Sequence, residues 1–157
     1  MVDFKKFLEK GLSAAEKAEA NKAEIDSVFE ELNQQMDEAT NGKIYISRVE
    51  FYVNSPIADL ASLANLRPRE KYTAIAAKNR TIQDCEYKQL AKWKIDRNGY
   101  PCTIILDRDE MYCEDKTSLE KNLQRLLSDP VVGDQIYKLL SMVAAAEEDG
   151  DENEDDA

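Results

Sequence analysis

The stretch DCEYKQLAKWKIDRNGYPCTIILDRDEMYC, residues 84–113, carries the strongest β pattern of this chain of 157 residues. From Tyr87 to Ile95 the side chains alternate in character, and a period of two places alternate residues on opposite faces of a strand. One predicted face carries Tyr87, Gln89, Ala91, Trp93 and Ile95, and the other carries Lys88, Leu90, Lys92 and Lys94. This stretch therefore predicts a strand with one lysine-rich face, and it places the only tryptophan of the chain on the opposite face.

A turn is predicted after this strand, from Asp96 to Gly99, because Asn-Gly accepts positive φ at little cost. The second strand that follows has one face made of Cys102, Ile104 and Leu106. A tight turn at residues 107–110 then leads into a short third strand, Met111–Cys113. The predicted product is a three-stranded antiparallel meander.

Two further strands are predicted upstream of the meander. Residues 43–53, KIYISRVEFYV, are rich in β-branched and aromatic side chains, which favour strands. We assign one face of this strand to the core, namely Tyr45, Val49, Phe51 and Val53. Residues 71–78, KYTAIAAK, predict another strand, although their alanines also suit a helix. The intervening residues 57–66 predict a short helix or a crossing loop.

The N-terminal segment predicts two helices. Residues 2–10 form a short amphipathic pattern that Gly11 ends. Ser13 followed by Glu16 is a capping-box pattern, which predicts the start of a longer helix running to about residue 40. Asn41-Gly42 closes this helix, because glycine commonly follows a helix end.

The same segment fits an imperfect heptad repeat. One seam position carries Phe4, Gly11, Ala18, Ile25, Leu32 and Ala39, and the other carries Leu8, Ala15, Lys22, Phe29 and Met36. A heptad seam can pair two chains, which would give a homodimer through residues 13–40, and a polar seam residue such as Lys22 can fix the register. The alternative is a single amphipathic helix that packs on the sheet of its own chain.

The C-terminal third predicts two more helices and a tail. Thr117 and Glu120 form a capping-box pattern at the start of the first helix, and Asp129-Pro130 begins the second. Their apolar stripes are Leu119, Leu123, Leu126 and Leu127, then Val131, Val132, Ile136, Leu139, Leu140 and Val143. We therefore predict an α+β protein: a long N-terminal helix, a four- to five-stranded mainly antiparallel sheet and two C-terminal helices. Residues 1–145 would form one domain, and residues 146–157 a disordered acidic tail.

Charge is segregated along the chain, whose formal net charge is −11. Residues 1–42 hold five lysines against ten acids, and residues 43–98 hold eleven basic residues against six acids. Residues 99–145 hold five basic residues against eight acids, and the last twelve residues hold eight acids and no base. The middle segment is thus the only net-positive one, which favours contact with an anionic partner.

Several function classes are excluded or disfavoured by composition. The absence of histidine removes the usual base of nucleophile triads and the mixed Cys-His zinc sites. The three cysteines cannot complete an all-cysteine tetrahedral site, and no glycine-rich phosphate loop is present. We predict no cofactor, no metal, no secretory signal and no membrane span, and reduced thiols suit a cytoplasmic location.

One constellation would carry catalysis. Asp84, Glu86 and Lys88 would share one face of a strand, and this triplet resembles half of the motif of the PD-(D/E)xK nucleases. The resemblance implies carboxylates that hold Mg²⁺ and a lysine beside the attacked phosphate. It would also need an acid from a neighbouring strand, for which Glu50 or Asp59 could serve. The alternative is a solvated strand edge with an ion pair, and we expect no enzyme.

The basic middle segment is the stronger candidate. The candidate binding residues are Lys71, Lys78, Arg80, Lys88, Lys92, Lys94, Arg97, Trp93 and Tyr87, with Arg67, Arg69, Tyr72 and Tyr100 close by in sequence. Sites for single-stranded nucleic acid combine cations for phosphates with aromatic platforms for bases. Trp93 and Tyr87 lie on the face opposite the lysines in the predicted strand, so they have an alternative role in the core.

The leading hypothesis is a binding protein for single-stranded nucleic acid, or for an enzyme that processes it. The acidic tail would modulate binding, in a layout similar to phage and bacterial single-stranded DNA-binding proteins. A second hypothesis is an acidic inhibitor or immunity-type protein that occupies the basic cleft of a nuclease or other DNA-binding protein. It would use the acidic tail and the acids of the long helix, which are Glu16, Glu19, Glu24, Asp26, Glu30 and Glu31. A third is a dimeric assembly or chaperone-like protein.

Overall fold

The computed structural model describes residues 1–53 and 70–143, together with residues 60 and 63. Its elements are α1 (Phe4–Thr40), β1 (Ile44–Tyr52), β2 (Lys71–Asn79), β3 (Lys88–Asp96), β4 (Gly99–Leu106), β5 (Asp109–Cys113), α2 (Lys116–Ser128) and α3 (Pro130–Leu140). The predicted α+β class, the long first helix, the antiparallel sheet and the two C-terminal helices are confirmed. The predictions for residues 57–66 and for the acidic tail lie outside the described residues.

The five strands form one sheet in the order β1-β2-β3-β4-β5, and every neighbouring pair is antiparallel. The predicted meander is therefore part of a larger one. In the β3–β4 turn, Gly99 takes the positive φ of +90°. In the β4–β5 turn, Asp107 does so at 59°.

Helices α1, α2 and α3 all contribute to one core on a single side of the sheet, which we call the helix side. Its buried cluster includes Ile25, Val28 and Phe29 of α1, Ile44, Ile46, Ile75, Trp93 and Ile104 of the sheet, and Leu119, Leu123, Leu126, Val132 and Leu139 of α2 and α3. The rings of Phe29 and Trp93 meet edge to face, with centroids 5.6 Å apart. This contact shows that the only tryptophan is a core residue.

The predicted core face of β1 is wrong. Ile44 and Ile46 are buried beneath α1, whereas Tyr45 and Phe51 are half-buried on the other side of the sheet. Both faces of this strand carry apolar side chains, so a period of two alone gives no contrast between them. The helix side takes the aliphatic pair because α1 packs directly over it, and Asn33 of α1 bonds both backbone polar groups of Ile46.

Helix α1 runs without interruption from Phe4 to Thr40, so the predicted break at Gly11 is wrong. Glycine costs a helix about 1 kcal/mol relative to alanine, which a helix of this length tolerates. Asp3 caps the N-terminus through the backbone N–H of Lys6 at 3.1 Å, and Ser13 lies inside the helix. The predicted end is confirmed, with Asn41 in the left-handed region and Gly42 at φ +75°.

The C-terminal helices keep their predicted positions with one change of cap. Asp115 and Ser118 form the capping box of α2, not Thr117 and Glu120. Asp129 caps α3 through two backbone N–H groups at 3.0 and 3.2 Å, as predicted. Val131 leaves the predicted apolar stripe, because 66% of it is exposed.

Among the residues that the structure describes, no helix is both long enough and apolar enough to cross a membrane.

Candidate functional site

A β-bulge in strand β3 determines which side chains share a face of the sheet. Lys92 pairs with Ala74 and Ala91 with Ile75, but the next pair along is Gln89 with Ala76. Leu90 is therefore an extra residue without a partner on β2. Leu90 and Ala91 are both buried in the core, so the alternation of faces changes phase between them.

This change of phase corrects the predicted strand faces. Beyond the bulge, Gln89 and Tyr87 lie on the side of the sheet that faces away from the helices, which we call the open face. Lys92 and Lys94 lie there too, because their partners on β2 and β4 do. The predicted separation of Tyr87 from these lysines is wrong, while Trp93 is correctly placed on the other side of the sheet from them.

The open face is a surface of aromatic and basic side chains on β1, β2 and β3. The strand registers place Tyr45, Phe51, Tyr72, Lys78, Lys92 and Lys94 on it. Tyr87, which directly precedes β3, joins them through its contact with Lys78. The small side chains Ala74 and Ala76 lie between them and are fully buried. None of the helices α1 to α3 packs against this face, since their buried residues belong to the core on the helix side.

Cations and rings alternate across the open face. The Lys78 ammonium lies 4.8 Å from the ring centroid of Tyr87, and the Lys92 ammonium 5.3 Å from that of Tyr72. Phe51 stacks on Tyr72 at 6.0 Å with the ring planes 24° apart. These distances are within the range of cation–π attraction, which holds each ammonium beside a ring face.

Hydrogen bonding fixes one of these rings. The Tyr72 hydroxyl donates to Gln89 Oε1 at 2.6 Å, and this bond crosses from β2 to β3 next to the bulge. A ring that is held at its hydroxyl and stacked on Phe51 keeps its orientation before any ligand arrives. Such preorganisation lowers the entropy that binding would lose.

Few acids lie among the strand residues of the open face. By alternation from Lys94, Asp96 at the end of β3 lies on this side. So does Glu110 on the edge strand β5, because it pairs with Ile105 next to Lys92. Its carboxylate accepts a hydrogen bond from the Tyr112 hydroxyl at 2.5 Å, and this bond raises the pKa of Tyr112. The centre of the open face is therefore cationic, although the whole chain is acidic.

Arg80 lies at the border of the open face. Its guanidinium is 5.1 Å from the ring centroid of Tyr45 and 3.5 Å from the carboxylate of Asp37 on α1. A pocket of about 310 Å³ opens here, lined by Lys78, Asn79, Arg80, Ile82, Asp84 and Cys85. Arg80 thus extends the cationic surface beyond the end of β2.

Other candidate residues lie elsewhere. Lys71 is on the helix side of β2, where it pairs with Glu50 at 3.9 Å, and Lys88 pairs with Ala77 on that same side. The bulge separates Lys88 from Lys92 and Lys94, so their predicted common face is wrong. Arg97 lies in the β3–β4 turn, and Arg67 and Arg69 lie outside the described residues.

Tyr100, also considered near the basic segment, belongs to the helix side. Its hydroxyl donates to Glu24 Oε1 of α1 at 2.8 Å. Partial burial, and then this bond, raise its pKa above the ordinary tyrosine value. Tyr100 therefore connects β4 to α1 and is not available as a stacking platform.

The nuclease-like triplet does not form the predicted arrangement. Asp84 has a φ of 60° in a turn, and β3 begins only at Lys88, so Asp84, Glu86 and Lys88 do not share a strand face. Glu50 is near the opposite end of β2, beside Lys71. Within the described part of the chain, no group of three or more Cys, Asp or Glu side chains is arranged to hold a metal ion.

The acids proposed for an inhibitor are largely engaged within the chain. Asp26 binds Arg48 at 2.6 Å, Glu24 accepts from Tyr100, and Glu19 lies 3.8 Å from Lys22. Arg48 also stacks over the Phe29 ring at 4.4 Å, so the Asp26 pair closes the edge of the core. Glu24 and Asp26 thus connect α1 to the sheet, whereas the Glu19–Lys22 pair lies within α1 itself.

The three cysteines are free thiols. Cys102 and Cys113 face each other across β4 and β5 and are fully buried, whereas Cys85 is half-buried. The hydrogen bond between the two buried thiols raises the pKa of Cys102 and lowers that of Cys113, and Asn122 donates to the Cys113 sulfur at 3.4 Å. Their place in the core gives them a packing role.

Sequence reasoning missed Tyr45 and Phe51 as members of the open face. The signal that could have found them is chemical: Tyr45 carries a polar tip, while its neighbours Ile44 and Ile46 are purely aliphatic. Comparisons with known proteins add nothing to this geometry, because no family model, curated protein or solved structure matches the chain.

Proposed function

We propose that this protein binds single-stranded nucleic acid through the open face and has no catalytic activity of its own. The observation that carries the proposal is the bulge at Leu90, which brings Tyr87, Lys92 and Lys94 together with Tyr72 and Lys78 on one side of the sheet. A flat sheet face with aromatic platforms and adjacent cations is the arrangement on which unpaired bases stack.

The spacing of the face supports a short strand of nucleotides. Tyr87 lies beside Lys78 at one end of β2, and Tyr72 is at the other end of the same strand. At about 3.3 Å per residue their backbones are roughly 20 Å apart, so each ring could receive one base of a strand of nucleotides that runs along β2. Lys78, Lys92 and Lys94 would contact phosphates between and beside these bases. Because Lys78 and Lys92 already lie over the rings, a ligand would compete with intramolecular cation–π contacts of modest energy.

Electrostatics would make this binding weak at physiological salt. Three lysine contacts to a single strand predict a slope of log K against log salt of about −2, since each contributes roughly −0.7. The net charge of −11 opposes binding at long range. Removal of the acidic residues 146–157 is expected to strengthen it, because a tail that is disordered, as predicted, can compete for the same cations.

Fluorescence anisotropy with a labelled oligothymidylate of about 15 nucleotides tests the proposal. Tyr72→Ala and Tyr87→Ala should each weaken binding by roughly 5- to 150-fold, the equivalent of about 1–3 kcal/mol for one lost stacking platform. Lys92→Gln with Lys94→Gln should lower the salt slope by about 1.4. Matched controls are Lys71→Gln and Lys88→Gln, which remove the same charge on the helix side and should change the affinity little.

The outcomes separate this proposal from its alternatives. Lack of oligonucleotide binding at low salt by the protein truncated after residue 145 would refute it. Equal losses in the open-face and helix-side lysine variants would indicate nonspecific attraction. Capture of a basic protein, with no oligonucleotide binding, would favour the inhibitor hypothesis instead.

A further inference from the structure

The first part of α1 extends beyond the rest of the molecule. Asn21 is the residue of α1 that meets the β3–β4 turn, where its amide donates to the Asn98 carbonyl at 3.0 Å. Every residue from Met1 to Lys17 is exposed, and Ala18 is the first that is partly covered. We call residues 4–17 the overhang; at 1.5 Å per residue it is about 21 Å long.

The overhang carries a bare apolar stripe. Phe4 is 78% exposed, Phe7 64%, Leu8 62% and Leu12 55%. Residues seven apart lie on the same side of a helix, so the stripe through Phe4 continues the line that buries Ile25 farther along α1. The stripe therefore points to the same side of α1 as the sheet does. It lies beyond the β3–β4 turn, where the sheet no longer covers the helix.

The stripe is bulky at one end and small at the other. Its N-terminal half contains Phe4, Phe7 and Leu8, while its C-terminal half contains Gly11, Ala14 and Ala15 beside one large residue, Leu12. A Cβ added at Gly11 would meet no described atom within 4 Å, so no neighbour in the described part of the chain requires glycine there. Glycine lowers the stability of a helix relative to alanine, and a closely approaching neighbour is a physical reason to have it.

We propose that the overhang pairs antiparallel with the overhang of a second copy of this chain. An antiparallel pair places the bulky half of one stripe against the small half of the other, and Gly11 allows the two helix axes to approach closely. A parallel pair would instead align bulky with bulky and would bring the two bodies into collision. The segment is therefore complementary in shape to itself, as a two-fold interface requires.

The space beside the overhang also favours a helix as occupant. A helix is about 10–12 Å across with its side chains, which fits beside the stripe next to the β3–β4 turn. A flat membrane surface that approached the same stripe would meet the turn first. The geometry therefore favours a second overhang over a lipid surface.

The area available sets the strength of the dimer. If each of the eight large apolar side chains lost on the order of 100 Å², the pair would bury roughly 800 Å². Backbone contact at the small residues would add to this, which brings the total near the ~1,000 Å² of a specific interface. We therefore expect a weak dimer whose population rises with protein concentration.

Sedimentation velocity of the full chain over a range of concentrations tests the proposal. The wild type should shift from monomer to dimer, and Phe4→Ser with Leu8→Ser should remain monomeric. Val131→Ser with Tyr137→Ser is the matched control, since these side chains are 66% and 68% exposed on α3 and should leave the dimer unchanged. Circular dichroism should show the same fold in every variant, because all the changed side chains are exposed.

The decisive variant is Gly11→Leu. It adds apolar surface but fills the space that the partner needs, so the dimer dissociation constant should rise at least about tenfold. A wild type that is monomeric throughout, a dimer that persists in Phe4→Ser with Leu8→Ser, or a dimer strengthened by Gly11→Leu would overturn the proposal. Cosedimentation with anionic vesicles that Gly11→Leu enhances would instead show a lipid surface as the occupant.

Discussion

The two sides of this sheet are built from the same five strands but differ in chemistry. The helix side presents Ile44, Ile46, Ile75 and Trp93 to the helices, and Arg48 closes its edge by stacking on Phe29. The open face presents tyrosines, a phenylalanine and lysines, arranged in cation–ring pairs. Aliphatic side chains suit a dry core, whereas tyrosine and lysine combine an apolar body with a polar end that stays wet.

One inserted residue decides which side chains belong to which side. If Leu90 were paired regularly with β2, Tyr87 and Gln89 would keep the alternation of Trp93 and would lie under the helices. With the bulge, Tyr87 joins the lysines, and Leu90 and Ala91 both enter the core. A local irregularity of the backbone thus creates the candidate site.

The largest expected contrast is in stability. Trp93→Ala should lower the free energy of unfolding by about 3–5 kcal/mol, because it removes a buried ring that packs against Phe29. Tyr87→Ala should lower it by only about 1 kcal/mol, since this ring is half-buried at the edge of the sheet and makes one cation–π contact with Lys78. Urea unfolding followed by circular dichroism measures both.

A milder change keeps this contrast measurable if Trp93→Ala does not fold. Trp93→Phe retains part of the ring and should be destabilised by less than Trp93→Ala. Similar losses for Trp93→Phe and Tyr87→Phe would contradict the assignment of the two residues to different sides.

Sequence reasoning predicted the element types well, because periodicity and turn residues are local signals. Asn41-Gly42, the β3–β4 turn and the Asp129 cap are all positions where a few adjacent residues determine the backbone. It failed on the faces of β1 and β3 for two different physical reasons. Both faces of β1 are apolar, so the core side depends on where α1 packs; the bulge in β3 depends on its pairing with β2, which no local pattern reports.

The candidate site was therefore only partly predictable. Composition selected Lys78, Lys92, Lys94 and Tyr87 as binding candidates, but it did not predict that Tyr87 shares a face with these lysines. Trp93 was selected for its place between two lysines in sequence, and the structure buries it. Proximity in sequence does not indicate a common face in a strand, where adjacent side chains point in opposite directions.

The next contrast concerns the point where α1 meets the hairpin. Gly99 has a φ of +90°, and a Cβ there would lie 2.8 Å from Asn21 Cβ. Gly99→Ala should therefore cost about 2–4 kcal/mol, from backbone strain together with displacement of α1. Gly42→Ala is the matched control, because its φ is +75° but a Cβ there would meet nothing within 4 Å, so it should cost only about 1–2 kcal/mol.

Urea unfolding of the two glycine variants measures the difference. A larger loss for Gly99→Ala would locate the extra cost in the contact between α1 and the turn. Equal losses would mean that backbone strain accounts for both and that α1 does not rest on the turn.

The smallest expected contrast compares two tyrosines that each donate to a glutamate. Tyr100 lies on the helix side against Glu24, and Tyr112, 62% exposed, lies on the open face against Glu110. Both pKa values are raised, that of Tyr100 chiefly by burial and that of Tyr112 chiefly by the hydrogen bond. A raised pKa means that the folded state holds its proton more tightly than the unfolded state.

The sign of the pH dependence follows from this difference. The stabilisation is present in full below the ordinary tyrosine pKa of 10.0 and is lost as the pH rises from there through the folded-state pKa. Tyr100→Phe should therefore lower the free energy of unfolding at about pH 8, and it should reduce the loss of stability between about pH 8 and pH 11. Tyr112→Phe should change that loss less, because solvent screens the hydrogen bond between Tyr112 and Glu110. Urea midpoints at the two pH values measure this, and an equal effect of the two substitutions would show that the helix side and the open face do not differ in their access to water.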